Sequence, residues 1–414
     1  MKYKSTRGNV KNLSFIDAFM MGLADDGGLI VPESIPIVDK DRLAKMSSMS
    51  FVELTVEIMS IRKQTMSVLV ATSGDTGSAA IHGLANKKGV NVFVLYPQGR
   101  VSPVQELQMV TVQDANVHPI TITNSSFDDC QTLVKQIFSD LPFKSKYNLA
   151  AVNSINWARI LVQIVYYFYS YFLVQKKQQT TNKEVVFSVP TGNFGDVLAG
   201  FYAKKMGLPI RNLIVSTNQN DILDKFFKTG RYDKSCGDVI PTVAPSMDIK
   251  IASNFERYLY YVCQEDASKL RQLMEDFNRD GVLSISPDIL ANQVHSLDGF
   301  LSSSVGHQEI LDTIKTYYQT FNYLVDPHTA IGIAGSKSHG LKNLNKFTDN
   351  PLICLSTAHP AKFGDTVKLA TNVDIENQYQ ATKQLLEKKQ SKLNVNTANC
   401  NIEEIKQFIS NKRV

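Results

Sequence analysis

The β-branched run Val185-Val186-Phe187-Ser188-Val189 leads straight into Pro190-Thr191-Gly192-Asn193-Phe194-Gly195-Asp196. A helical pattern, Val197-Leu198-Ala199-Gly200-Phe201-Tyr202-Ala203, follows at once. Strand, glycine turn, helix aims free backbone N–H groups and the positive end of a helix dipole at one point, an arrangement that favours phosphate. Gly192 and Gly195 allow φ > 0 and let a ligand come close to the backbone. A plain structural turn can carry two glycines as well, so this stretch alone does not decide. Thr72-Ser73-Gly74-Asp75-Thr76-Gly77 stands in the same strand-to-helix context and tips the reading toward a ligand site.

The grammar around these turns is regular. Strands are expected over residues 66–71, 90–96, 117–122, 185–189, 213–216 and 351–357. Helices are expected over 78–88 (closed by Gly89), 104–112, 127–138, 153–174 and 197–206. Near-continuous apolar strands alternating with helices mean an α/β protein with a parallel sheet covered on both faces. Ligands in such folds sit beyond the carboxyl ends of the strands. Three of those ends carry small polar turns, the third being Ser356-Thr357-Ala358-His359-Pro360. Residues 1–62 read as a preface with one or two helices between Leu43 and Ile61. Residues 63–375 read as the α/β core, and 376–414 as a C-terminal extension whose stretch Lys383–Lys392 is a charged solvent face. Residues 219–325 read as mostly helical.

The 414-residue chain carries a net charge of +5, with 20% charged and 43% hydrophobic residues, and its cations form no basic stripe, so no nucleic-acid partner is expected. Five scattered cysteines without C-x-x-C spacing argue against a disulfide framework or a zinc site. The start lacks an apolar signal core, which leads to a cytoplasmic expectation with mitochondrial import left open. Ile160 to Val174, the most apolar run, includes Gln163, Ser170 and four tyrosines and reads as a central buried helix rather than a membrane span.

Asn153-Ser154-Ile155-Asn156-Trp157-Ala158-Arg159 places a cation in the first turn of that helix. A positive charge is unfavourable there unless an anion joins it. Arg159 is therefore a candidate to fork onto phosphate or carboxylate oxygens; the alternative is an arginine whose stem covers apolar surface. Gly332-Ile333-Ala334-Gly335-Ser336-Lys337-Ser338 lacks P-loop spacing and reads as helix. No metal-ligand pair of histidines occurs. His328 and His359 read as structural hydrogen-bonders rather than general bases.

Together these motifs resemble the threonine synthase family of pyridoxal-phosphate enzymes, with a leaning toward its animal threonine synthase-like 2 branch. The matching segments are Tyr3–Gly8 with Gly22–Pro32, Thr72–Gly77, Gln105–Met109, Asn153–Arg159, Pro190–Asp196, Ser246–Ile249 with Asn254–Arg257, Asp326–Gly332 and Thr357–Phe363. The resemblance implies fold type II, akin to the tryptophan synthase β subunit, with an incomplete N-terminal part. It implies pyridoxal 5'-phosphate as cofactor, a small phosphorylated amino acid as substrate, no membrane partner, and a homodimer. It assigns Gly192, Asn193, Phe194, Gly195 and Asp196 to the cofactor phosphate and Thr357 to the pyridine nitrogen. Ser73, Gly74, Asp75, Thr76, Ser154, Arg159 and Asn193 would bind the substrate. In the family a segment with a Phe-Lys-Asp motif, whose lysine joins the cofactor covalently, precedes the Thr72 strand. Here Ile61-Arg62-Lys63-Gln64 runs directly into that strand and no Phe-Lys-Asp occurs. Lys63 is not a substitute by motif, so no catalytic residue is assigned. The loss implies weak turnover and a sheet with a gap or an exposed edge.

Overall fold

The computed structural model describes the chain except residues 1, 15–16, 19–20, 60–65, 73, 87–89, 148, 152–154, 236, 342–349, 376–395 and 413–414. The preface opens with β1 (Tyr3–Ser5) paired antiparallel to β2 (Ile30–Pro32). Two helices follow, Lys40–Met46 and Phe51–Met59. The first is capped by the Asp39 side chain, which accepts from the Arg42 N–H.

Two parallel sheets form the body. The first runs in the order β13-β5-β4-β3-β6, from β3 (Met66–Ala71), β4 (Val90–Pro97), β5 (Val117–Ile122), β6 (Leu149–Ala151) and β13 (Asn396–Ala398). The second runs β11-β8-β7-β12, from β7 (Val185–Pro190), β8 (Ile210–Thr217), β11 (Phe300–Ser304) and β12 (Leu352–Cys354). Every described pairing within both sheets is parallel. All six residues of β5 and of β7 are buried, as strands covered on both faces require. A small antiparallel pair, β9 (Arg231–Asp233) with β10 (Val282–Ser284), stands apart.

The helix Trp157–Gln178 is long and apolar enough to cross a bilayer by length and composition. In the fold it is a core helix, as expected, burying Ile160, Ile164, Tyr167, Phe168 and Tyr171. The helix Phe51–Met59 covers one side of it, with the Phe51 ring 6.2 Å from Tyr166 and 5.3 Å from Tyr169.

Several expectations need correction. The stretch 219–325 is mostly helical as expected but also holds the strands β9, β10 and β11, and β11 is an edge of the second sheet. The expected strand 351–357 ends at Cys354, after which the chain turns. Strand β3 is paired on both sides, so no gap opens beside it in the first sheet, whose described edges are β6 and β13. The C-terminal residues add β13 beside β5, and the helix Ile402–Asn411 buries Ile405 and Ile409 against Phe93 and Ile120. The helix expected over 78–88 runs Asp75–Leu84 and closes at Ala85, whose N–H donates to Ile81 O, so Gly89 is not its cap; Gly89 and the Lys383–Lys392 stretch lie outside the described residues. Cys130, Cys263, Cys354 and Cys400 are free thiols; Cys236 lies outside the described residues.

The docking of that last helix has a titratable element. His118 of β5 stacks on Phe93 at 4.9 Å and meets Phe408 at 6.2 Å, with its Nε2 buried and unpartnered. Burial, with Lys412 adding to it, pushes its pKa down to about 4. The unfolded chain therefore takes up a proton near pH 6.5 that the folded chain refuses, and stability falls as the pH drops from 6.5 toward 4. Between pH 7 and pH 5 the loss should be on the order of 2 kcal/mol. In urea titrations at both pH values, His118→Phe is expected to remove most of that difference.

Candidate active site

Strand β7 ends in the glycine turn. The Thr191 N–H donates to Ser216 O at 2.8 Å, so the turn starts inside the sheet ladder. Gly192 is closely packed: a Cβ there would lie 3.2 Å from Ser246 O and 3.4 Å from Met247 Cα, so its neighbours would have to give by a few tenths of an ångström. Asn193 Oδ1 accepts from the Gly195 N–H at 3.2 Å, and Asn193 O accepts from the backbone and side chain of Asn254 at 3.0 and 3.2 Å. Phe194 is held at φ 67°, ψ 5°, a left-handed conformation that costs a non-glycine residue roughly 1–2 kcal/mol. Burial of its ring offsets that strain, with Phe255 at 5.2 Å and Phe227 at 5.9 Å. The helix Gly195–Lys205 then starts without a side-chain cap from Phe194, and with the Gly195 N–H taken by Asn193 the N–H groups that follow it are left for a ligand. Asp196 has one carboxylate oxygen buried without a partner, and burial pushes its pKa up to about 7.

The second turn meets the first through the Trp157–Gln178 helix. Asn156 caps that helix by accepting from the Ala158 N–H at 2.9 Å. In its first turn Arg159 Nη1 donates to Thr76 Oγ1 at 3.1 Å. One residue on, Ile160 Cδ1 stands 3.5 Å from where a Gly195 Cβ would be. Thr72 Oγ1 folds the 72–77 turn by accepting from both Gly74 N–H and Gly77 N–H at 2.9 Å. Gly74 at φ 136° is obligatory, because a Cβ would fall 2.4 Å from Gln105 Cδ. Thus Thr76, Arg159 and the Asn193–Gly195 turn are gathered about the first turn of one helix. Ser73, Ser154 and the Asp75 side chain lie outside the described residues, and so does Lys63.

Arg159 is partly buried, and burial lowers its pKa. Among the described residues its side chain has no carboxylate within ion-pair distance. A cation placed at the positive end of a helix without a counter-charge calls for an anion.

Sequence reasoning left Arg257 without a role. It is fully buried, and its pKa is pushed down to about 10 by that burial. Nε donates to Ile30 O at 2.8 Å, Nη1 to Asn254 Oδ1 at 2.5 Å and Nη2 to Ile155 O at 2.6 Å. One guanidinium thus ties the preface, the turn ahead of Arg159 and the residue that holds Asn193. The only trace in the sequence is an arginine inside the aromatic stretch Phe255–Val262.

At the third turn the Thr357 side chain is exposed and its N–H donates to Thr329 Oγ1 at 3.2 Å. His328 Nε2 accepts from the Ser246 N–H at 3.1 Å, so its proton sits on Nδ1, 3.2 Å from Asp326 Oδ1. His359 caps a single 3₁₀ turn, Pro360–Phe363, by accepting from the Ala361 N–H. Both histidines act as hydrogen-bonders, as expected. Gly332 and Gly335 are buried in the helix Pro327–Ser336, with Gly332 packed on Pro190 and Cys354, so the apparent P-loop is structural.

Glycine turns at strand ends and an uncapped helix start fit the phosphate of a pyridoxal cofactor, and beside them stands a cation with no counter-ion among the described residues. These features place the chain among the parallel-sheet pyridoxal-phosphate enzymes, fold type II. A family model for pyridoxal-phosphate-dependent enzymes matches residues 40–276, with the threonine synthase N terminus matching 2–66 and the threonine synthase C-terminal model 329–409. Threonine synthase of Schizosaccharomyces pombe is 40% identical over 468 aligned positions that cover 89% of each chain. The pyridoxal-phosphate-bound threonine synthase of Brucella melitensis superposes with TM-score 0.88 at 33% identity, over 100% of this chain and 99% of that one. The chain belongs to the threonine synthase family, and its cofactor is pyridoxal phosphate. Threonine synthase-like 2 of Xenopus laevis is 32% identical over 89% of each chain, so the expected leaning toward the animal branch is corrected in favour of the synthases.

Proposed function

We propose that this chain carries the pockets of an enzyme that eliminates phosphate from a small phosphorylated amino acid, such as O-phosphohomoserine or O-phosphothreonine, and that the chain as written turns over little or not at all. The observation that carries the reading is Arg159, a partly buried cation bonded to Thr76 with no carboxylate beside it among the described residues. Gly192, Asn193, Phe194, Gly195 and Asp196 would hold the cofactor phosphate, and Thr357 would face the ring nitrogen. Ser73, Gly74, Asp75, Thr76, Ser154, Arg159 and Asn193 would hold the substrate's carboxylate and phosphate.

Bound there, the cofactor draws electrons from the amino-acid carbon and eases loss of a proton and of phosphate. The chain's own residues orient and stabilise. Arg159 with Thr76 takes the leaving phosphate, which departs with the electrons of the broken C–O bond. A Thr357 hydroxyl is neutral and does not hold the ring nitrogen in its protonated form. Asp196, its pKa raised to about 7 by burial, repels an anion less than an ordinary carboxylate would at neutral pH. The proton step needs a base, and the family's Phe-Lys-Asp lysine is missing. The match to the S. pombe enzyme spans 468 positions against 414 residues here, which supports internal residues in that relative that this chain lacks.

Likeness to threonine synthases favours addition of water to give threonine. Release as 2-oxobutyrate and ammonia, the lyase outcome, is the second reading, favoured by the likeness to the vertebrate relative. The test is to add pyridoxal phosphate to the purified protein, treat with borohydride, and map any adduct by mass. Reversible binding, no lysine adduct and no phosphate release from O-phosphohomoserine are expected. A lysine adduct together with phosphate release would overturn the impaired reading; failure to bind either pyridoxal phosphate or inorganic phosphate would overturn the pocket itself.

A further inference from the structure

The phosphate turn and the Thr357 turn lie on neighbouring strand ends, and one relay with a buried middle joins them. It begins at Ser246, whose carbonyl would lie 3.2 Å from a Cβ on Gly192 and whose N–H donates to His328 Nε2 at 3.1 Å. His328 Nδ1 faces Asp326 Oδ1 at 3.2 Å. Asp326 also accepts from the His328 and Thr329 N–H groups, at 2.9 and 3.2 Å, and from the Thr329 hydroxyl. Because that hydroxyl spends its proton on Asp326, its lone pairs are left to accept, and the Thr357 N–H donates to it at 3.2 Å. Asp326, His328 and Thr329 are 1%, 4% and 5% exposed, so water competes little for these bonds. The ring of Phe363, 4.5 Å from His328, closes the remaining side.

We propose that Thr329, oriented by Asp326, is a positioning residue that sets the place of Thr357 relative to the Gly192 turn and so matches the pocket to the length of the cofactor. The inference rests on the reading above, in which the phosphate lies at Gly192–Asp196 and the ring nitrogen at Thr357. Each end of the cofactor has its own anchor: His328 holds Ser246 beside the phosphate turn, and Thr329 holds Thr357. Losing the Thr329 hydroxyl should release the ring end while leaving the phosphate end in place.

The experiment titrates the purified full chain with pyridoxal phosphate, followed by its own absorbance, and separately with inorganic phosphate by calorimetry. For Thr329→Val the pyridoxal-phosphate Kd is expected to rise about tenfold, the worth of one buried hydrogen bond. Its inorganic-phosphate Kd should stay within about twofold of the parent. Thr329→Ser, which keeps the hydroxyl, should restore the parent affinity. If circular dichroism shows that the valine variant does not fold, Thr329→Ala, which only removes atoms, takes its place. Equal weakening of both ligands, or weakening of neither, would sink the proposal, since a merely structural threonine could not separate the two. A parent chain that binds inorganic phosphate but not pyridoxal phosphate would instead overturn the cofactor reading, and the inference with it.

Discussion

Arg257→Met is expected to lower the stability of the folded chain by about 3–6 kcal/mol, enough to leave much of the protein unfolded at 37 °C. Methionine fills most of the space but donates nothing. Ile30 O and Asn254 Oδ1 would each lose a charged donor in a place that water does not reach, and Ile155 O would lose one at a half-buried position. A buried acceptor that loses its donor costs about 1–3 kcal/mol, and two of these with the half-buried third set the range. Removing a buried cation also relieves the desolvation that depresses its pKa, and this works in the opposite direction. Here the lost bonds win, because the guanidinium is bonded through Nε and both terminal nitrogens. Arg257→Lys keeps the charge, yet one ammonium cannot reach three diverging acceptors, so a loss of about 2 kcal/mol is expected. Urea midpoints of the three proteins decide the matter. A methionine variant within about 1 kcal/mol of the parent would mean that the preface and the two turns do not depend on this clamp.

Why such a residue escapes sequence reading is clear from its partners. Two of them are backbone carbonyls, 227 and 102 positions away, and carbonyls have no letter in a sequence. The same holds for β11. Its Ser302 and Ser303 are buried, but one hydroxyl meets Asp224 O and the other Ser338 Oγ, so a polar stretch becomes a sheet strand through partners that hydrophobic periodicity cannot see. The three-residue strands β6 and β13 are too short to carry a pattern, and they exist because β3 and β5 offer open edges. By contrast β3, β4, β5 and β7 were legible, because a parallel strand covered on both faces must be apolar along its length. The glycine turns were legible for a related reason. Gly74 stands at φ 136° with Gln105 Cδ 2.4 Å from where a Cβ would be, and a Cβ on Gly192 would crowd Ser246 O at 3.2 Å, so the residue type itself records the close approach. Arg159 was legible through electrostatics, since a cation in the first turn of a buried helix is out of place without an anion.

That last point leads to a prediction whose sign differs from the first. Arg159→Met is expected to raise the ligand-free melting temperature by about 1–3 °C while weakening inorganic-phosphate binding roughly 10- to 100-fold. Arg159 gives one side-chain hydrogen bond, to Thr76 Oγ1, and among the described residues no acid stands within ion-pair distance of it. Its desolvation is therefore poorly offset in the free protein, and methionine removes the strain at the cost of one modest bond. With phosphate present the balance reverses, because charge-assisted bonds to the anion are worth about 1.5–3 kcal/mol. Saturating phosphate should thus raise the melting temperature of the parent by more than that of the variant, which keeps only the Gly192–Asp196 turn to bind it. Arg159→Lys separates charge from shape: it should melt like the parent yet bind phosphate about tenfold more weakly, since a point charge cannot fork onto two oxygens. If the methionine variant melted lower than the parent and bound phosphate as well, Arg159 would be an ordinary packing residue. A buried cation that destabilises the empty protein and is stabilised only by its ligand is what separates a binding site from a structural salt bridge.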